Sequence, residues 1–275
     1  MAEGFLETMA EGSRRRLAKA LAVRTIDDMR SMAKDAPPAR RIVRSEFDVI
    51  AEVKHVSPAE GALSDDTSPE ASVAQATTYA GTGAAAISVL TEPDRFGGSL
   101  AHLRAVRTAV ATPVMRKDFL IDAYQIIEAR AHGADGVLVI ARILTPSGMQ
   151  TLIETARDLG MFVLVEGFDG EDLESIAACP AVTGGDDGVL VGLNCRDLST
   201  LQIDPSRFET LAYAFPKGLA RVAESGVHVP ADAGRVASLG YDVALVGTSL
   251  MRSDDPAALL NDLLIAGRQA KGLEA

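Results

Sequence analysis

Tryptophan is absent from this 275-residue chain, and eight phenylalanines and four tyrosines supply all of its aromatic rings. A core must therefore be built from aliphatic side chains and alanine, which suits parallel strands covered by helices on their outer face. Cysteine is nearly absent too: Cys179 and Cys195 form no CxxC pattern. That excludes a disulfide framework and places the expected protein in a reducing cytoplasm. The four histidines, His55, His102, His132 and His228, show no metal-ligand spacing and read as surface or helix-end residues. No apolar run approaches the roughly 18 residues of a membrane span. Arg14-Arg15-Arg16 follow Glu3, Glu7 and Glu11 with no apolar stretch behind them, so neither a secretory signal nor a transit peptide is expected. An amphipathic helix with Phe5, Leu6 and Met9 on one face is the better reading. The net charge of −11 leaves nothing broad and positive for nucleic acid, although a local cluster could still hold a small anion.

What is present is a core's worth of apolar residues, 47% against 24% charged, arranged in a repeat. Short apolar runs predict strands at 48–54, 84–90, 113–117, 135–140, 161–166, 187–193, 219–224 and 242–246, with helical patterns between them. The clearest helix is SPEASVAQATTYAGTG, where Ser68 is placed to cap, Pro69 to take the first turn, and glycine to close. In AHGAD, DLGMF and SLGYD a glycine ends a helix just before a strand. Strand starts recur at about 22 to 36 residues, the length of a βα unit. Eight such units predict an α/β fold, a (β/α)8 TIM barrel, rather than a doubly wound sheet. The first strand is followed by KHVSPAEG and not by a Gly-rich dinucleotide fingerprint. Residues 1–275 read as one barrel domain, with 1–45 as an N-terminal helical extension.

The stretch VIAEVKHVSP, 49–58, raises the functional question. Side chains on a strand alternate faces, so Val49, Ala51 and Val53 share one side and Ile50, Glu52 and Lys54 the other. Polar groups recur at the C-terminal ends of the other strands: Arg116-Lys117-Asp118, Glu166, Asn194 and Arg196, Glu224-Ser225-Gly226, and Gly247-Thr248-Ser249. The strand starts carry only punctuation such as Asp135 and Asp242. In a barrel the outer strand faces pack on helices, so these polar ends should look inward or upward, at the mouth where such enzymes keep their active sites. Phe162, Leu164 and Glu166 repeat the parity of the first strand. ESG and GTSL, after the last two strands, offer small residues and free backbone N–H groups where such barrels commonly bind phosphate.

In this order IAEVKHVSPAEG, SVLTEPDRFGGS, MRKDFLIDAYQIIEARAHGAD, VLVE, GLNCRDL, AESGV and VGTSLM resemble the indole-3-glycerol-phosphate synthases of tryptophan biosynthesis, over about residues 4 to 266. The opening FLETMAEG also looks like that family's N-terminal extension. The resemblance implies a lyase that decarboxylates and dehydrates 1-(2-carboxyphenylamino)-1-deoxyribulose 5-phosphate, closing an indole ring without metal or cofactor. It implies Lys117 as general acid and Glu166 as its acid/base partner, with Lys54, held by Glu52, sharing in acid catalysis. Asn194 and Arg196 would hold the substrate's carboxylate and hydroxyls, and Ser57 would sit near the anthranilate group. Phe96 and Phe119 would pack the ring, with a core role open for Phe119. Ser225, Gly226, Gly247 and Thr248 would form the phosphate cradle. The expected partner is a phosphorylated small molecule, with no nucleic acid and no membrane, bound by a monomer or weak homo-oligomer.

Several positions depart from the family's usual pattern. SPAEG stands where the family reads SPSKG, so Glu60 replaces a lysine in the first βα loop. Gly167-Phe168 replaces VH, and Cys195 replaces the second asparagine of NNRDL. A nucleophilic Cys195 is disfavoured because no histidine is expected near it. Two rival readings stay open: a paralogue or phosphate-binding barrel isomerase acting on a related sugar phosphate, and a barrel that has lost activity and serves as an assembly subunit.

Overall fold

The computed structural model describes residues 2–184, 188–197 and 200–272. Asp187, the expected start of the sixth strand, Leu198 of the NCRDL motif, and both ends of the expected domain (Met1 and 273–275) lie outside the described residues.

Eight strands form the barrel: β1 (Asp48–Val53), β2 (Ala86–Leu90), β3 (Val114–Lys117), β4 (Gly136–Ile140), β5 (Phe162–Gly167), β6 (Val189–Asn194), β7 (Ala220–Glu224) and β8 (Val243–Val246). All neighbours pair in parallel, and β8 returns to β1, closing the cylinder. Ten helices are labelled here: α1 (Ala2–Val23), α2 (Ile26–Asp35), α3 (Pro69–Thr82), α4 (Leu100–Ala109), α5 (Ala123–Ala131), α6 (Pro146–Asp158), α7 (Gly170–Ala177), α8 (Pro230–Ser238), α9 (Thr248–Arg252) and α10 (Pro256–Gly272). Between β6 and β7 the described residues hold no long helix, only a short turn at Arg207–Thr210 and a 3-10 turn at Ala212–Ala214.

Local chemistry sets the element ends. Ser68 accepts from the Ala71 N–H at the start of α3, Pro69 follows it, and Gly83 ends the helix at φ 100°. Thr25 and Asp28 make a reciprocal capping box for α2. Strand parity sorts the core into two shells. Val49, Ala51, Val53, Val163 and Val165 pack outward against the helices. Ile50, Met115, Leu138, Leu164, Leu190, Val222 and Leu245 fill the barrel interior, and Leu6 and Met9 of α1 join them from above.

The strand starts do more than punctuate. The Asp135 carboxylate accepts the backbone N–H groups of Arg40 (2.8 Å) and Val114 (2.9 Å) and pairs with Arg107 at 2.9 Å. Asp242 accepts from the Arg221 N–H and from Lys271, both at 3.0 Å. Asp48 does the same for Ser45 and Arg268. The lower rim is a ring of carboxylate staples joining neighbouring strands and helices.

Two expectations fail in detail. Arg116 does not look into the mouth: it has the parity opposite to Lys117 and lies outside the barrel, while Asp118 borders the cavity and turns its carboxylate to the outer side. There Arg116 reaches Thr91, Glu128 and Asp118. His55 is neither at the surface nor at a helix end, and His102, though in the first turn of α4, is not exposed: the two are buried edge-to-face, their rings 5.3 Å apart.

Candidate active site at the barrel mouth

The inward parity of β1, β3, β5 and β7 brings four long charged side chains to one level. Lys117, the last residue of β3, donates from Nζ to Glu166 Oε2 and to Glu224 Oε2, each at 3.2 Å. Glu166 ends the inner row of β5, and its Oε1 accepts from Asn194 Nδ2 at 3.1 Å. Asn194, the end of β6, accepts in turn from Ser225 Oγ at 2.9 Å and from the Arg196 N–H at 3.0 Å. Across the mouth Lys54 Nζ lies 2.8 Å from Glu52 Oε1. Glycines make room for the carboxylates: a Cβ on Gly192 would strike the Glu224 carboxylate, and one on Gly247 would strike that of Glu52.

The charge states follow from burial and neighbours. Burial alone would strip the proton from the Lys117 ammonium, but Glu166, Glu224 and Glu52 outweigh it and hold the group charged well above the ordinary lysine range. Burial pushes Glu52 toward the neutral acid; the attraction of Lys54, Lys117 and Arg196 reverses this and leaves it below the usual range. Glu224 goes the other way. Its desolvation is reinforced by the Glu166 carboxylate, and Lys117 does not compensate, so it keeps its proton well above the usual carboxylate range. The mouth thus holds a fixed ammonium beside Glu224, a carboxyl group that favours its neutral form.

All thirteen candidate residues line a single cavity that opens to solvent. One side is charged. The other is apolar, with Leu138, Ile140, Phe168 and an aromatic ledge in which Phe119 lies 6.3 Å from Phe5 and 6.1 Å from Phe96. At the rim above β7 and β8, Ser225 and Gly226 adopt positive φ (63° and 70°) and face Gly247 and Thr248 across the cavity. Arg196 is steadied by a bond from Nη1 to the Leu201 carbonyl, 2.9 Å.

A model of the indole-3-glycerol phosphate synthase family matches residues 6–263. The chain belongs to the indole-3-glycerol phosphate synthase family. A relative of that name from Mycolicibacterium smegmatis is 43% identical over 266 residues, covering 95% of this chain and 94% of its own. The one named indole-3-glycerol phosphate synthase 1 from Streptomyces coelicolor is 42% identical, covering 95% of each. Among solved structures, 3-hexulose-6-phosphate synthase from Salmonella typhimurium aligns with a TM-score of 0.61 over 82% of this chain and 100% of its own. At 17% identity that likeness shows the barrel fold alone. Membership of the family makes this protein a decarboxylating lyase of tryptophan biosynthesis that acts on a phosphorylated small molecule. Among the described residues no helix is long and apolar enough to cross a membrane.

Sequence reasoning passed over Glu224. It was read as one of several polar strand ends and given no role, yet it is 1% exposed and touches Lys117. Its signal was available: Ala220, Val222 and Glu224 share a parity, as Phe162, Leu164 and Glu166 do. Cys195 is fully buried, and desolvation pushes its thiol up to about 12, far from nucleophilic. Phe168 lies on the cavity wall with Arg142 stacked 5.4 Å over its ring. Glu60 pairs with Arg252 at 3.0 Å.

Proposed function

We propose that Lys117 is the general acid of ring closure, that Glu166 and Glu224 manage its protons, and that the two sides of the cavity sort the two halves of the substrate. The aryl ring of the carboxyphenylamino-deoxyribulose phosphate lies against Phe96, Phe119 and the aliphatic wall. Its carboxylate is held by Arg196 and Asn194, with Ser57 above it. The phosphate sits among the backbone N–H groups of Ser225, Gly226, Gly247 and Thr248.

The ring carbon bearing the carboxylate attacks the ketone carbon of the sugar. Negative charge grows on the ketone oxygen, and Lys117 gives it a proton. The bond to the carboxylate breaks, carbon dioxide leaves, and the ring regains aromaticity. The new hydroxyl then departs as water after taking a second proton, and a proton is lost beside the nitrogen to make the indole double bond. Glu166 accepts that proton, while protonated Glu224 resupplies Lys117. Lys54, fixed by Glu52, assists the departing hydroxyl. Free, buried thiols at Cys179 and Cys195 support a reducing, cytoplasmic compartment.

The observation that carries this reading is the Lys117 ammonium held 3.2 Å from each of two carboxyl groups, Glu166 and Glu224, beside an apolar wall. The test is the fluorescence of the indole product after mixing enzyme and substrate. Lys117→Ala should lose roughly 10²–10⁴-fold in kcat, the scale of general acid–base catalysis, and still bind substrate. Near-normal turnover in that variant would overturn the assignment. Arg196→Ala should raise KM on the order of tenfold, with a smaller change in kcat.

A further inference from the structure

Past Lys54 the chain turns back on itself as a small flap. Val56–Ser57 and Gly61–Ala62 pair antiparallel, and Pro58-Ala59-Glu60 form the tip. Ser57, Pro58 and Ala59 line the active-site cavity. The two ends of the flap are held by different means. Its base is anchored by buried contacts: His55 Nε2 lies 2.7 Å from Ser72 Oγ of α3, and the Leu63 N–H donates to the His55 carbonyl. The tip is exposed, and there Arg252 grips Glu60 twice, Nε at 3.0 Å from Oε2 and Nη2 donating to the backbone carbonyl at 3.3 Å. Arg252 ends α9, which follows β8 directly, so the grip spans the seam where β8 meets β1.

We propose that Glu60 and Arg252 are positioning residues that latch the flap tip to α9 and keep Ser57 and Pro58 over the bound substrate. Breaking the latch opens the path for substrate entry and product exit. A firm base and a tip held by one solvated ion pair give a hinge that opens at small energetic cost and closes again. The pairing needs a carboxylate at position 60, since a lysine there would repel Arg252. The inference rests on the proposed site for what lies beneath the flap; the latch itself is a property of the free protein.

Amide exchange across residues 56–63 reads the latch without substrate. Glu60→Gln and Arg252→Gln should each speed exchange about two- to five-fold, the reach of an exposed ion pair. The double variant should go no further than Arg252→Gln alone, and Glu60→Arg with Arg252→Glu should recover the share of protection that the ion pair supplies. In low salt KM should rise by the same factor in the single variants, with kcat held or raised, and 1 M salt should bring the wild type to their level. Unchanged exchange in both single variants, or additive effects in the double one, would overturn the latch. Failure of the wild type to form the indole product would instead sink the functional reading and leave the exchange result standing.

Discussion

At the scale of single residues, Glu224 shows how the site trades stability for chemistry. The folded protein binds its proton more tightly than the unfolded chain does, since burial beside Glu166 raises its pKa. Stability contributed by that group is therefore whole at acid pH and is lost as pH climbs from the unfolded value of about 4.3 to the folded one. Glu224→Gln keeps the shape and removes the ionisation. It should match the wild type below about pH 4 and melt progressively higher as pH rises above that value. Turnover should fall roughly 100-fold or more, because an amide relays no proton. Melting curves at several pH values, paired with the fluorescence assay, would test both halves; a variant that melts lower at every pH would contradict the charge state. Parity made Glu52 and Glu166 legible in the sequence, and the resemblance through MRKDF pointed to Lys117. What could not be read was that Glu224 holds its proton more tightly than a free carboxyl group, because that depends on burial and on separations set by strands far apart in the chain.

At the scale of elements, eight strands and their faces were readable because a parallel barrel writes apolar runs, Gly-ended helices and polar C-terminal tips at regular intervals. The flap was not readable: two-residue strands carry no periodicity, and its tip is fixed by Arg252, 192 residues away. Arg116 and Asp118 were misplaced for a related reason. A tip flanked by charge on both parities looks uniformly polar, but only Lys117 faces in, while its neighbours build an outer network that receives α1. In that network Arg16 Nη2 donates to Asp118 at 2.8 Å and Nη1 to the buried Glu92 at 3.2 Å. The same helix sends Phe5 and Leu6 into the cavity. Arg16→Ala should therefore loosen the aromatic wall without touching the reacting groups. KM should rise on the order of tenfold, for a loss of about 1.4 kcal/mol, with kcat changed less than threefold. A fall in kcat at constant KM would show that α1 acts on Lys117 through Asp118 and not as a lid on the ring site.

At the scale of the whole molecule, charge is divided between the two rims by purpose. The upper rim carries partly mismatched groups: an ammonium between two carboxyls, one of them unwillingly neutral. The lower rim carries carboxylates whose acceptors are satisfied by backbone N–H groups and basic side chains, as at Asp135. β4, five residues long, separates the two by about 17 Å. Asp135→Ala would leave the N–H groups of Arg40 and Val114 without their acceptor. It would also leave Arg107 facing Arg40 and Arg130 with no anion among them, and both neighbours already have their guanidinium pKa lowered, by burial first and by Arg107 second or third. Breaking such a buried group costs about 3–5 kcal/mol, on the order of 10 °C in Tm for a chain of this size. Activity per folded molecule should hold at 25 °C, because nothing at the mouth bonds to Asp135. Thermal denaturation and active-site-normalised turnover on the same preparation would decide it. A variant that lost kcat with its Tm intact would mean that the lower rim tunes the chemistry and does not merely hold the barrel closed.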